Sequence, residues 1–171
     1  RPSGAESAWA ELRESQRRTL ALPNTGMAVA IDVGDTKDIH PHAKRPVGQR
    51  LALHALAKTY GIKGLITDGP HDPTIVATGR VLRLTYRPES GLKTTDGRDP
   101  VGFAIAGEDR KFIVADAHIV GNSILLTAPG VDAPRYVRYA WADNPEVNLV
   151  GRTGLPAVPF RSDPRPYDRM R

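Results

Sequence analysis

Apolar residues change their spacing part-way along this chain, and the change comes close to Ile62. Before it, Trp9, Leu12 and Leu20 form an imperfect apolar stripe, with Glu11, Arg13, Glu14, Arg17 and Arg18 between and around them. That spacing predicts a helix over residues 5–22, capped by Ser3 or Gly4 and stopped by Pro23. Gly26-Met27-Ala28-Val29-Ala30-Ile31 is a short run of small and β-branched residues ending at Asp32. It has the pattern of a buried strand that delivers a functional loop. A second helix is predicted over 47–60, where Val47, Leu51, Leu53, Leu56 and Ala57 supply the apolar positions. Pro46 stands at its start and Gly61 at its C-cap. Helix, strand, loop and helix in that order make one turn of an α/β sheet protein.

Beyond Ile62 the pattern becomes one of short strands. β-prone runs lie at 74–78, 81–86, 101–106, 111–115, 123–127 and 136–141. Turn signals separate them, among them Pro88-Glu89-Ser90-Gly91, Asp96-Gly97, Gly107-Glu108-Asp109 and Pro129-Gly130. Evenly spaced strands with polar turns predict an antiparallel sandwich or jelly roll. Residues 154–160 read as extended and limited by proline, and 161–171 as a tail that is poorly ordered or docked only by contact with something else. The fold class expected is α/β plus all-β: residues 1–62 form an α/β piece and 63–171 an antiparallel β-sandwich with an extended tail. One strand cannot bury both its faces alone. The α/β sheet is therefore expected to be completed by sequence outside this chain, and an opening Arg1 in place of Met points the same way.

Composition narrows the function classes. With 171 residues, 40% of them hydrophobic, the chain can build a packed core of one ordinary domain or of a small domain and part of another. The absence of cysteine excludes disulfides and thiol chemistry. A net charge of +5 raises the question of nucleic acid. The basic residues are scattered, however, and aromatics, only 6% of the chain, are not interleaved with them. A solvated basic surface is the reading, and no nucleic-acid partner is expected. No apolar run approaches the roughly 20 residues that span a bilayer, so no membrane partner is expected either.

Chemistry concentrates in the loop 32–46, which holds Asp32, Asp35, Asp38, His40 and His42. A histidine after a buried strand, with a carboxylate close by, suits a general base: the carboxylate fixes the imidazole tautomer and stabilises the imidazolium. His40 and Asp38 fit that description, and Pro41 stiffens the loop beside them. A surface histidine next to an aspartate fits the same spacing. His40 and His42 lack the third and fourth ligands of a closed metal site. His54 in its helix, His71 in a turn-rich linker and His118 among the strands read as structural or solvent-facing. No nucleophile elbow is present, because Gly121-Asn122-Ser123 reads as a turn into a strand. No phosphate loop or dinucleotide fingerprint appears, and no cofactor is expected.

The wording around these residues resembles one family. Met27-Ala28-Val29-Ala30-Ile31-Asp32-Val33-Gly34-Asp35, Asp38-Ile39-His40-Pro41 with Lys44, and Val47-Gly48-Gln49-Arg50-Leu51-Ala52 are similar to the sialate O-acetylesterases, carbohydrate esterases of the SGNH-hydrolase type. The resemblance continues through Gly69-Pro70, Val137-Arg138-Tyr139-Ala140-Trp141 and Gly154-Leu155-Pro156-Ala157-Val158-Pro159-Phe160-Arg161, in the order of that family's C-terminal half. It implies an SGNH-type α/β piece joined to a β-sandwich, with His40 as the catalytic histidine. It further implies a nucleophilic serine and oxyanion donors in an N-terminal chain or portion upstream of Arg1, an acetylated carbohydrate substrate and a periplasmic or secreted location. Many SGNH hydrolases carry the acid three residues before the histidine, where this chain has Lys37. Either Asp38 or a backbone carbonyl is then left to orient His40. The competing expectation is a non-catalytic carbohydrate-binding β-sandwich, with Trp141, Tyr139 and Trp9 as sugar-stacking residues.

Overall fold

A computed structural model describes residues 6–164 of the chain. The proposed caps Ser3 and Gly4 and the tail from Arg165 lie outside the described residues. Ten strands and two helices make up the described part, and antiparallel sheets dominate it.

Helix α1 (Ala8–Arg18) starts at Ser7, whose hydroxyl accepts from the Ala10 amide at 3.1 Å, and runs into a 3₁₀ turn at Thr19–Ala21. Helix α2 spans Lys44–Lys58. The expected strand at 26–31 is extended, yet it pairs with no strand among the described residues. What occupies one of its edges instead is a row of α2 side chains.

Strands β1 (Thr74–Thr78), β2 (Val81–Thr85), β6 (Asp116–Val120) and β7 (Ser123–Thr127) form a sheet ordered β1-β2-β7-β6. Both of its hairpins turn on two residues with glycine first: Gly79-Arg80 between Thr78 and Val81, and Gly121-Asn122 between Val120 and Ser123. Gly79 and Gly121 have φ of +56° and +62°, which a residue with a Cβ adopts only at a cost. Gly121-Asn122-Ser123 is thus a hairpin turn, as its sequence predicts. The strand β6 was not anticipated, since Asp116 and His118 dilute its apolar content.

Strands β4 (Phe103–Ala106), β5 (Ile113–Val114), β8 (Tyr136–Tyr139) and β10 (Phe160–Arg161) form the second sheet, ordered β10-β8-β4-β5. A small pair, β3 (Lys93–Thr94) with β9 (Leu149–Val150), completes the set. The two large sheets share one core: Leu82, Leu84, Ile124 and Leu126 from the first, Phe103, Ile105, Val137 and Tyr139 from the second. Strict alternation along β2 and β7 puts these residues on one face. Each such side chain contributes about 1.5–3 kcal/mol by leaving water. Phe103 and Tyr139 also stack with centroids 4.6 Å apart.

The link from α2 into the sheets is threaded tightly. Pro70 is fully buried, and its carbonyl accepts from the Val158 amide at 2.9 Å. A Cβ on Gly69 would fall on the Pro156 carbonyl oxygen, so only glycine passes there.

Candidate active site

Alternate residues of an extended segment turn their backbone groups to the same edge. Along 25–29 that edge is capped by α2. Lys58 donates to the Thr25 carbonyl, His54 Nε2 lies 3.0 Å from the Met27 carbonyl, and Arg50 Nη1 donates to the Val29 carbonyl at 2.5 Å. The match is geometric. Four helical residues advance about 6 Å, and two strand residues advance about 6.6 Å. Gly26 makes the approach possible, because a Cβ there would sit 2.9 Å from His54 Cβ.

Arg50 does more than cap. Its guanidinium also grips Asp32 bidentately, Nη1 to Oδ1 at 2.7 Å and Nη2 to Oδ2 at 2.6 Å. Asp32 stands where the segment ends and the histidine loop begins, beside Ile31, which packs onto the sheet core. Burial raises the Tyr139 hydroxyl pKa above its ordinary value, and the Asp32 charge adds to the effect.

The loop then turns on its own aspartates. Asp35 Oδ1 accepts from the Lys37 amide at 2.8 Å, and Asp38 Oδ1 accepts from the His40 amide at 2.8 Å. These are two successive Asx turns, the local bond that short carboxylates make best. Asp38 therefore holds the backbone of His40, and no hydrogen bond joins its carboxylate to the imidazole among the described residues. His40 is exposed, and Ile39 beside it is 81% exposed. A groove of about 560 Å³ lies between α1, the extended segment and the loop, with Asp38, Ile39 and Pro41 on one wall and Trp9, Leu12 and Arg13 on the other.

The wall carrying α1 is fixed by charge. Arg138 and Arg161 converge on Asp163, with Arg138 Nε and Nη2 at 3.0 and 2.8 Å from its oxygens and Arg161 Nε at 3.1 Å. Glu6, just before the Ser7 cap, and Glu11, on α1, reach the same arginines at 3.2 and 2.5 Å. Trp141 lies against both guanidinium groups, 5.4 Å from that of Arg138 and 4.9 Å from that of Arg161. Arg13 donates to the carbonyls of Ala140 (3.3 Å), Ala142 and Asp143 (3.4 Å).

No protein-family model matches the chain. The sialate O-acetylesterase of Rattus norvegicus is 32% identical over 152 residues, covering 81% of this chain and 28% of the rat protein. That of Homo sapiens is 32% identical over 154 residues, covering 81% and 29%. The chain belongs to the sialate O-acetylesterase family. It spans less than a third of the length of these curated relatives. A crystal structure of a carbohydrate acetylesterase from Xanthomonas citri superposes on it with a TM-score of 0.89 at 42% identity, over 96% of this chain and 38% of that one. A carbohydrate-esterase family and a β-rich antiparallel fold agree with what the sequence led us to expect.

Against that family background the other sequence candidates sort themselves. His54 is buried under the extended segment, with Asp68 3.6 Å from its Nε2. His71 Nδ1 lies 2.8 Å from the Gly69 carbonyl, as a loop residue would, and His118 pairs with Asp99 on the surface at 3.0 Å. No three His, Asp or Glu side chains converge as a metal cage among the described residues. Tyr139 and Trp141 are buried, which closes them to sugar stacking and corrects that expectation; Trp9, 55% exposed, stays open to the groove. Sequence reasoning missed Arg50. Its signal was a basic residue every fourth position, at 50, 54 and 58, opposite alternate residues of the segment.

Proposed function

We propose that this chain is the C-terminal portion of an SGNH-type carbohydrate O-acetylesterase, with His40 as general base and a serine nucleophile carried by an N-terminal portion. In this reading residues 1–62 complete the esterase domain and 63–171 form a β-sandwich. The substrate is an O-acetylated sugar, met outside the cytoplasm. The observation that carries the reading is the family match together with a histidine held on an exposed loop beside a groove.

The reaction follows from the roles. The serine oxygen attacks the acetyl carbonyl as His40 takes its proton, and the tetrahedral intermediate collapses as the imidazolium returns that proton to the departing sugar hydroxyl. Water, deprotonated by His40, then attacks the acetyl-serine and releases acetate. Asp38 contributes by shaping the turn on which His40 sits.

The test is acetate release from acetylated sugars by the protein that joins this chain to the serine-bearing portion. His40→Ala is expected to lower kcat by about 10⁴-fold or more with the fold intact. Undiminished turnover would overturn the assignment.

A further inference from the structure

Residues 33–43 leave the body of the protein at Asp32 and return to it at Lys44, the first residue of α2. Few tertiary bonds hold them in between. Their hydrogen bonds are local: the Val33 amide to Ala30, the two Asx turns, and the Lys44 amide to His42. The entry point, by contrast, is clamped to the same helix that forms the exit. Arg50, in the second turn of α2, holds Asp32 with two charge-assisted bonds and the Val29 carbonyl with a third. Both ends of the loop are therefore referred to one rigid element.

From this geometry we infer that Arg50 is a positioning residue for His40, acting through Asp32. A bidentate guanidinium–carboxylate pair fixes direction as well as distance, which a lysine in its place would not. With the clamp in place, the position of His40 can vary only within a short loop closed at both ends. Without it, the entry end is free to swing and the loop gains conformations in which His40 faces away from a bound ester. Arg50 is largely buried while the Asp32 carboxylate is about one-third exposed at 35%, so the pair is partly shielded from solvent.

The inference rests on the reading of His40 as the base, and its test separates the two. In the serine-bearing full-length protein, Arg50→Ala and Asp32→Asn are expected to lower kcat by about 10²-fold, the cost of misplacing a catalytic group by about 1 Å. KM should stay within a few-fold. Millimolar ethylguanidinium should restore part of the activity of Arg50→Ala by refilling the site. Amide hydrogen exchange should quicken across 33–43 in both variants while the sheets stay protected. Arg80→Ala, which removes an exposed ion pair with Asp132 on a distant hairpin, should leave turnover unchanged. Turnover in Arg50→Ala that matches wild type, exchange that stays unchanged in the loop, or exchange that quickens everywhere would each overturn the positioning role. Full activity in His40→Ala, with loop exchange still quickened by Arg50→Ala, would remove the assignment of His40 while leaving the clamp.

Discussion

At the scale of single residues, Asp38 shows how little a motif says about which atom a carboxylate serves. From spacing, an aspartate two residues before a histidine reads as a partner for the ring, yet its Oδ1 accepts from the His40 amide. The two roles make opposite demands on chemistry. An Asx turn needs only an acceptor oxygen, which asparagine supplies; a triad acid needs the charge, and its amide variant costs about 10⁴-fold. In the serine-bearing protein proposed above, Asp38→Asn should therefore keep acetate release within about tenfold of wild type, while Asp38→Ala should lower it more and loosen the loop. A loss of 10⁴-fold in the asparagine variant, read from initial rates of acetate release, would return Asp38 to the triad. Position 37, where many related hydrolases carry the acid, is lysine here, and its backbone amide closes the first Asx turn.

At the scale of elements, both helices were visible in the sequence, but neither buries its large apolar positions. The apolar stripe of α1 carries Trp9 and Leu12, both exposed, whereas the buried residues are Ala10 and Glu14, with Ser7 at the cap. On α2 the buried residues are Arg50 and His54, and Leu51 is 50% exposed. The reason is the surface each helix meets. Each lies over a row of backbone carbonyls, at 140–143 for α1 and 25–29 for α2, and carbonyls call for donors. Hydrophobic periodicity finds the apolar side of a helix; here that side is not the one turned to the body. Serine 7 ties both levels together, since Ser7 caps α1 and donates to Asp143 at 2.6 Å. Ser7→Ala should lower stability by about 1 kcal/mol, measured by urea unfolding. A change below a few tenths of that would mean α1 docks through its ion pairs alone.

For the molecule as a whole, the strand-rich portion was the legible part. Turn glycines and alternating residues located β1, β2, β4, β7 and β8, and the run at 111–115 contains the two-residue β5, whereas β3, β9 and β10, just as short, lay outside every predicted β-prone run. The buried cluster on Asp163 was equally hidden, because its members are spread from Glu6 to Asp163. It also governs the response to acid. Burial alone would raise the Asp163 pKa, but hydrogen bonds and charge from Arg138 and Arg161 outweigh it and hold the carboxyl below the ordinary range. A depressed carboxyl contributes stability above its unfolded pKa of about 3.9 and loses it as pH falls through the folded value. Asp163→Asn leaves the two buried arginines with only Glu6 and Glu11 as carboxylate partners and should cost about 2–3 kcal/mol at pH 7. The gap between wild type and variant should narrow below about pH 4, followed by thermal unfolding across the pH range; a gap independent of pH would show that Asp163 acts by packing.

The row of side chains that α2 lays along 25–29 has a consequence for assembly. Arg50, His54 and Lys58 occupy the carbonyls on one side of the segment, while Gly26 and Ala28 turn their backbone groups the other way. A strand finished on one side can join a growing sheet but cannot be passed through by it. Any sheet that accepts this segment ends there, with the histidine loop issuing from its margin. The same closed side denies neighbouring copies of the chain a ladder on which to stack.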